Sequence, residues 1–185
     1  MYIDMKRKNI RVRAGIFLLL LLGWNCMGGS NMFFYPNGNA GGHPTISVRS
    51  SGRSYGVYDN GNCGGMPDRS FVRNSSGADF YPNGNAGVHP IACMRISGSR
   101  LAFYPNGNAN GFPDKCLILH GDRAEFYPNG NGGGSPTMSL RKSGRLVEIF
   151  TNGNCNGFPD YSIEGADSLR DAAEFFYLFF FGGLR

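Results

Sequence analysis

Along most of the chain, apolar and polar side chains alternate in short runs, and each run is broken by the same asparagine- and glycine-rich stretch. Apolar residues two apart precede the break (Tyr55 and Val57, Leu101 and Phe103, Val147 and Ile149), and another follows it at Val48, Phe71, Met94, Leu117, Leu140 and Ile163. A period of two predicts strands with one buried face. The break reads FYPNGN at 34–39, 80–85, 103–108 and 126–131, VYDNGN at 57–62 and IFTNGN at 149–154. Its first asparagines, Asn37, Asn60, Asn83, Asn106, Asn129 and Asn152, are 23 residues apart with no insertion. One structural unit is therefore repeated six times.

Numbered from that asparagine, Gly stands at plus one, Asn at plus two and Pro at plus seven in every copy, and Gly stands at plus five in all but the Val88 copy. Asn-Gly accepts the positive φ that tight reversals need, and Pro, lacking a donor, suits the first residue of a strand. Each unit reads as strand, turn of about eight residues, strand and short turn, which predicts twelve strands of about five residues. A single hairpin is unstable alone, so the units must bury a shared apolar face. The expected class is all-β, an extended or rolled antiparallel sheet. A second period lies over the first. Odd copies carry Arg at plus twelve (Arg49, Arg95, Arg141) and even copies carry Pro-Asp, a 46-residue unit present three times. This keeps open a closed pseudo-threefold trefoil or prism, while the unbroken 23-residue period favours a linear array.

The spacing of Asn-Gly, Gly five residues on, a Gly-containing turn and a return to an aromatic after 23 residues resembles MORN-type repeats of the bacterial variant, over residues 32–171. The resemblance implies a curved sheet of successive hairpins serving as scaffold or binding surface, including antitoxin-like binding, with no catalytic residues. Tyr104, Asn108 and Gly111 are similar to the start of a βγ-crystallin motif, and one 23-residue rung per repeat is similar to a curli-like β-solenoid.

Charge changes little. The chain has 185 residues, 41% apolar, and a net charge of +5. Lys6, Lys8, Arg7, Arg11 and Arg13 precede an apolar run at 14–24; without them and Asp4, 13 basic and 12 acidic residues remain. That near balance excludes a nucleic-acid partner of the electrostatic kind. Basic residues before about eleven apolar ones predict a signal peptide at 1–28, or an N-terminal anchor, and hence a secreted or surface protein with no membrane span in the mature chain. Cys26 raises lipidation, but Gly23, Trp24 and Asn25 fit a lipobox poorly.

Cys93 and Cys116 share position plus ten, where the other copies have Ser, and Cys63 and Cys155 share plus three. In an oxidising compartment Cys93 and Cys116 would form a disulfide if the repeats were solenoid rungs. His43 and His89 lack the further ligands of a metal site, and no nucleophile, base and orienting group fall at useful spacing. Neither catalysis nor a cofactor is expected. Tyr35, Tyr58, Tyr81, Tyr104 and Tyr127, with Phe150 sixth, form a column opposite the core face, a candidate binding surface for sugar rings or a partner sheet. Asn74 begins a glycosylation sequon. After a short helix at 167–174, the apolar run Phe175, Phe176, Tyr177, Leu178, Phe179, Phe180 and Phe181 must be covered, as a cap on the repeats or as a strand added to another subunit; the segment 172–185 is thus a cap or assembly element. These features predict a non-enzymatic, self-assembling surface or matrix protein whose partners are copies of itself or other surface proteins, with a glycan-binding module as the alternative.

Overall fold

The structure, a computed structural model, describes residues 30–180. The leader region, Cys26 and Phe181 lie outside the described residues, as do the side chains of Phe179 and Phe180. Each repeat forms two strands: β1 (Asn31–Tyr35), β2 (Ile46–Ser51), β3 (Ser54–Tyr58), β4 (Arg69–Asn74), β5 (Gly77–Tyr81), β6 (Ala92–Ser97), β7 (Arg100–Tyr104), β8 (Lys115–His120), β9 (Arg123–Tyr127), β10 (Met138–Ser143), β11 (Leu146–Phe150) and β12 (Tyr161–Glu164). One helix, α1 (Leu169–Phe180), follows. The all-β reading and the hairpin units are as expected from the alternation.

The ends of the array meet. β1 pairs antiparallel with β12, Phe34 opposite Ile163 and Tyr35 opposite Ser162, and every other strand pairs with its neighbours in sequence. The sheet is a closed twelve-stranded barrel, not the open array favoured by the repeat period, nor a solenoid, trefoil or prism. Closure removes both sheet edges and their unpaired backbone groups. It is also what the loops require. Glycine at plus one sits so close to the proline carbonyl of the preceding copy that a Cβ would lie 2.0 Å from it at Gly61 against Pro44 and at Gly107 against Pro90. Gly38 of the first copy makes the same approach, 2.2 Å, to Pro159 of the last. The contact that joins consecutive copies therefore joins the two ends.

An eight-stranded barrel is filled by its own side chains; twelve strands leave a wider lumen. Here α1 fills it. Ser168 caps the helix, its Oγ accepting from the Asp171 amide at 3.1 Å. The helix then runs through the aromatic segment: Phe175 meets Phe34 of β1 edge-on at 6.2 Å, Phe176 meets Phe126 of β9 at 5.5 Å, and Tyr177 stacks on Phe103 of β7 at 4.1 Å and tilts against Phe80 of β5 at 5.1 Å. Residues Ala172, Ala173, Phe175, Phe176, Tyr177 and Leu178 are all buried. From Ala172 to Leu178 every residue is buried, so this part of the helix is enclosed by protein. The short helix expected at 167–174 is thus the first part of a longer one, and the described part of the apolar run lies inside the barrel rather than along an edge.

One polar cluster anchors the helix near its start. Arg73 on β4 donates from Nε to Glu174 Oε2 at 2.5 Å, lies 2.7 Å from Asp171 Oδ1, and rests on the Tyr55 ring with its guanidinium carbon 4.3 Å from the centroid. Burial pushes the Glu174 carboxyl up to about 7, against the opposing pull of Arg73. Its unfolded value is 4.5, so the folded chain binds the proton more tightly. The contribution to stability is fully present below the unfolded value and is lost as pH rises through the folded one. Unfolding in urea at pH 5 and pH 8 should show the native chain losing stability on the order of 2–3 kcal/mol across that window, while Glu174→Gln shows a flat profile. Equal slopes in the two proteins would refute this.

Candidate functional site

The eight-residue turns double back over the outside of the barrel, and this decides which outer residues a ligand can reach. Asn at position zero shapes four of the turns, those of Asn37, Asn106, Asn129 and Asn152, by bonding the backbone four residues on: Asn37 Nδ2 donates to the Gly41 carbonyl at 2.6 Å and Asn152 Nδ2 to that of Asn156 at 2.8 Å. In every copy but that of Ala86 the residue at plus three adopts positive φ, 52° at Cys63 and 53° at Cys155. Its amide is thereby aimed at the plus-ten side chain of the preceding copy, donating to Ser47 Oγ from Cys63 and to Ser139 Oγ from Cys155, both at 2.8 Å. Ala40 of the first copy donates to Ser162 of the last at 3.0 Å. Position plus ten is small because a turn lies across it.

Cys93 and Cys116 are the plus-ten residues of their copies. Burial raises both thiols, with Arg95 and Arg100 respectively pulling the other way. They stand opposite Tyr104 and Ala102, two residues of the same β7 strand. With β7 between them their separation is about twice the 4.8 Å strand spacing, beyond disulfide reach. The expected Cys93–Cys116 bond depended on stacked rungs, which the barrel lacks, and the four described cysteines are free.

The aromatic column does lie opposite the lumen, but the turns cover most of it. Tyr35, Tyr58, Tyr127 and Phe150 are buried, and only Tyr81 and Tyr104 are partly open. Tyr127 donates to Glu125 at 2.6 Å, and that bond, with burial, pushes its hydroxyl up to about 12. An open row of six platforms is therefore corrected to two half-covered rings and a set of grooves between turns. Asn74 sits in the β4–β5 hairpin, its side chain held by Asp79 at 2.8 Å and by the Ser76 amide at 3.0 Å. His43 and His89 are exposed on the turns.

Two grooves on the outer face are built from equivalent residues 46 positions apart. One, of about 490 Å³, is lined by Arg95, Ala102, Tyr104, Phe112, Pro113 and the turn Asn129, Gly130, Asn131. The other, of about 470 Å³, has Arg49, Gly56, Tyr58, Pro67 and the turn residues Gly84 and Asn85 in the same places. The arginine stands opposite the floor residue across the hairpin, Arg49 opposite Gly56 and Arg95 opposite Ala102. In the third 46-residue unit Arg141 stands opposite Glu148. There the glutamate lies over the floor, accepting at Oε2 from Arg141 Nε at 2.8 Å. That bond raises the basicity of Arg141, whose guanidinium carbon lies 5.0 Å from the Phe150 centroid.

Comparison with protein-family models, with curated proteins and with solved structures returned no match to the chain. The grooves must therefore be read from their own chemistry. Each offers a cation, a proline and the amides of a turn; the Arg95 groove adds the open face of Phe112 and the partly open Tyr104, whereas Tyr58 in the Arg49 groove is buried. The alternation of Arg at plus twelve is visible in the sequence. Its meaning is not, because the floor residues Gly56, Ala102 and Glu148 and the turn of the next copy meet it only in the folded barrel. Among the described residues no helix is long and apolar enough to cross a membrane.

Proposed function

We propose that the chain is a non-enzymatic, lectin-like binding barrel, exported by its leader, that takes carbohydrate in the outer grooves. The recurrence of one groove at Arg49 and Arg95 carries this reading. Sugars are bound by pairing an aromatic face with fixed polar groups, and Tyr offers an apolar body with a polar tip. Phe112 on the rim is 96% exposed, an arrangement that favours a ligand laid across it. Outward Asp79, Arg95, Arg141 and Glu148, in ion pairs at 2.8 Å, suit a barrel wall facing water and not lipid.

Glycan-array binding by the full chain tests the reading. Phe112→Ala and Tyr104→Ala combined with Arg49→Met, which together alter both grooves, should weaken the array signal by at least about tenfold. Silence on the array, or a signal unchanged in the triple variant, would remove it. A second reading, a structural element assembled from copies of the chain, is favoured by Met66, Phe112 and Phe158, which are 89–96% exposed at equivalent positions 46 residues apart. Concentration-dependent association lost in Phe112→Asp with Phe158→Asp would select it. The MORN resemblance enters here only as a general one, to hairpin repeats that present a binding surface.

A further inference from the structure

We propose that the grooves at Arg49 and Arg95 take the carboxylate of an acidic sugar, a uronate, and that the third groove is closed by the chain's own carboxylate, Glu148. The sugar part rests on the carbohydrate reading above; the carboxylate part stands on a comparison within the molecule. Three equivalent hairpins present an arginine on one strand and a floor residue directly opposite. Where the floor is Glu148, its carboxylate lies within 2.8 Å of two guanidinium nitrogens of Arg141. Where the floor is Gly56 or Ala102, the equivalent space is a groove of about 470 or 490 Å³. Glu148 thus displays the chemistry the other two positions accept: a carboxylate on the guanidinium, beside an aromatic ring and a proline.

The flanking strands grade the two grooves. Arg95 also faces Asp79 on β5, its NH1 2.8 Å from Oδ1, and donates to the carbonyls of Ala78 and Met94. At the position equivalent to Asp79, β1 carries Phe33, and among the described residues no carboxylate lies in ion-pair reach of Arg49. Its guanidinium carbon lies 5.4 Å from the Tyr58 centroid. An incoming carboxylate meets an uncompensated cation at Arg49 and a shared one at Arg95, so the Arg49 groove binds more tightly. Charge-assisted hydrogen bonds to a planar guanidinium give the selectivity for acid over neutral sugar.

Calorimetric titration of the full chain with a uronate trisaccharide, and with its methyl ester as the neutral probe, tests this. The expected result is two sites of unequal affinity and at least about tenfold weaker binding of the ester. Glu148→Ala should open a third site, and Ala102→Glu should leave one; circular dichroism melting confirms that each variant is folded. Arg49→Met should remove the tighter site. Ester bound as well as acid, with the Phe112 dependence kept, would overturn the carboxylate proposal while leaving the carbohydrate reading intact. An acidic peptide bound in an Arg49-dependent way, with no uronate binding, would overturn the sugar assignment and the carbohydrate reading together. A stoichiometry of two that persists in both Glu148→Ala and Ala102→Glu would overturn the assignment of the sites.

Discussion

Replacing Tyr177 by alanine lowers the free energy of unfolding by about 3–5 kcal/mol, the range for losing a large buried aromatic side chain. The ring is 2% exposed and packs on the stretch of wall formed by β5 to β7, stacked on Phe103 and tilted against Phe80. Removing it leaves a void between the helix and that wall, where strands already held in a closed barrel cannot relax inward to fill it. Its environment is apolar enough to push the hydroxyl up to about 12, burial being the main cause. Urea unfolding of the full chain measures the loss, with Phe112→Ala as the control. Phe112 is 96% exposed, and its replacement should move stability by no more than about 0.5 kcal/mol. A Tyr177→Ala loss below about 1 kcal/mol would mean that the helix does not fill the barrel.

The strands were legible because their cause is local. Alternation around Val57, Phe103 and Ile149 fixes which face is buried, and Asn-Gly fixes where the chain reverses; both act within one repeat. The lumen helix was not legible in the same way. The polar residues of α1, Arg170, Asp171 and Glu174, all fall in its first half, and the run from Phe175 has no polar face of its own, so it reads as a cap or as an adhesive strand. Glu174 and Asp171, which Arg73 holds from the barrel wall, are the polar marks that a strand reading leaves without a role.

Closure was ambiguous for a related reason. Repeats of equal length describe neighbours, and nothing in a period says whether copy six meets copy one. Of the contacts that decide it, Gly38 on Pro159 repeats the approach made between every other pair of copies, and the Ala40 amide on Ser162 repeats those of Cys63 on Ser47 and Cys155 on Ser139. The site followed from the same blindness. The aromatic column was correctly placed on the outer side, but its cover comes from turns belonging to the next copy. The arginines at plus twelve were visible as a period and acquired a role only once β3, β7 and β11 brought Gly56, Ala102 and Glu148 opposite them.

The seam between β1 and β12 is where the closed barrel stands or falls. Phe33 and Glu164 are direct cross-strand partners, and they point outward, since Phe34 and Ile163 beside them are buried in the core. Cysteines at both positions should form an intrachain disulfide without displacing the lumen helix. The bond spans nearly the whole repeat domain, and a loop of more than about 100 residues is worth about 4–5 kcal/mol in the chain-entropy account when the geometry is unstrained. The loss of the Tyr35 hydrogen bond to Glu164, 2.9 Å long, offsets about 1 kcal/mol of it. The direct measurement is non-reducing peptide mapping of the monomeric Phe33→Cys, Glu164→Cys protein, beside a control pair at Arg141 and Glu148 within one hairpin. A closed barrel predicts the 33–164 bond in the monomer, together with a raised urea midpoint. Crosslinking of the control pair alone, with 33 and 164 unbridged or bridged only between molecules, would show an open array and contradict the account.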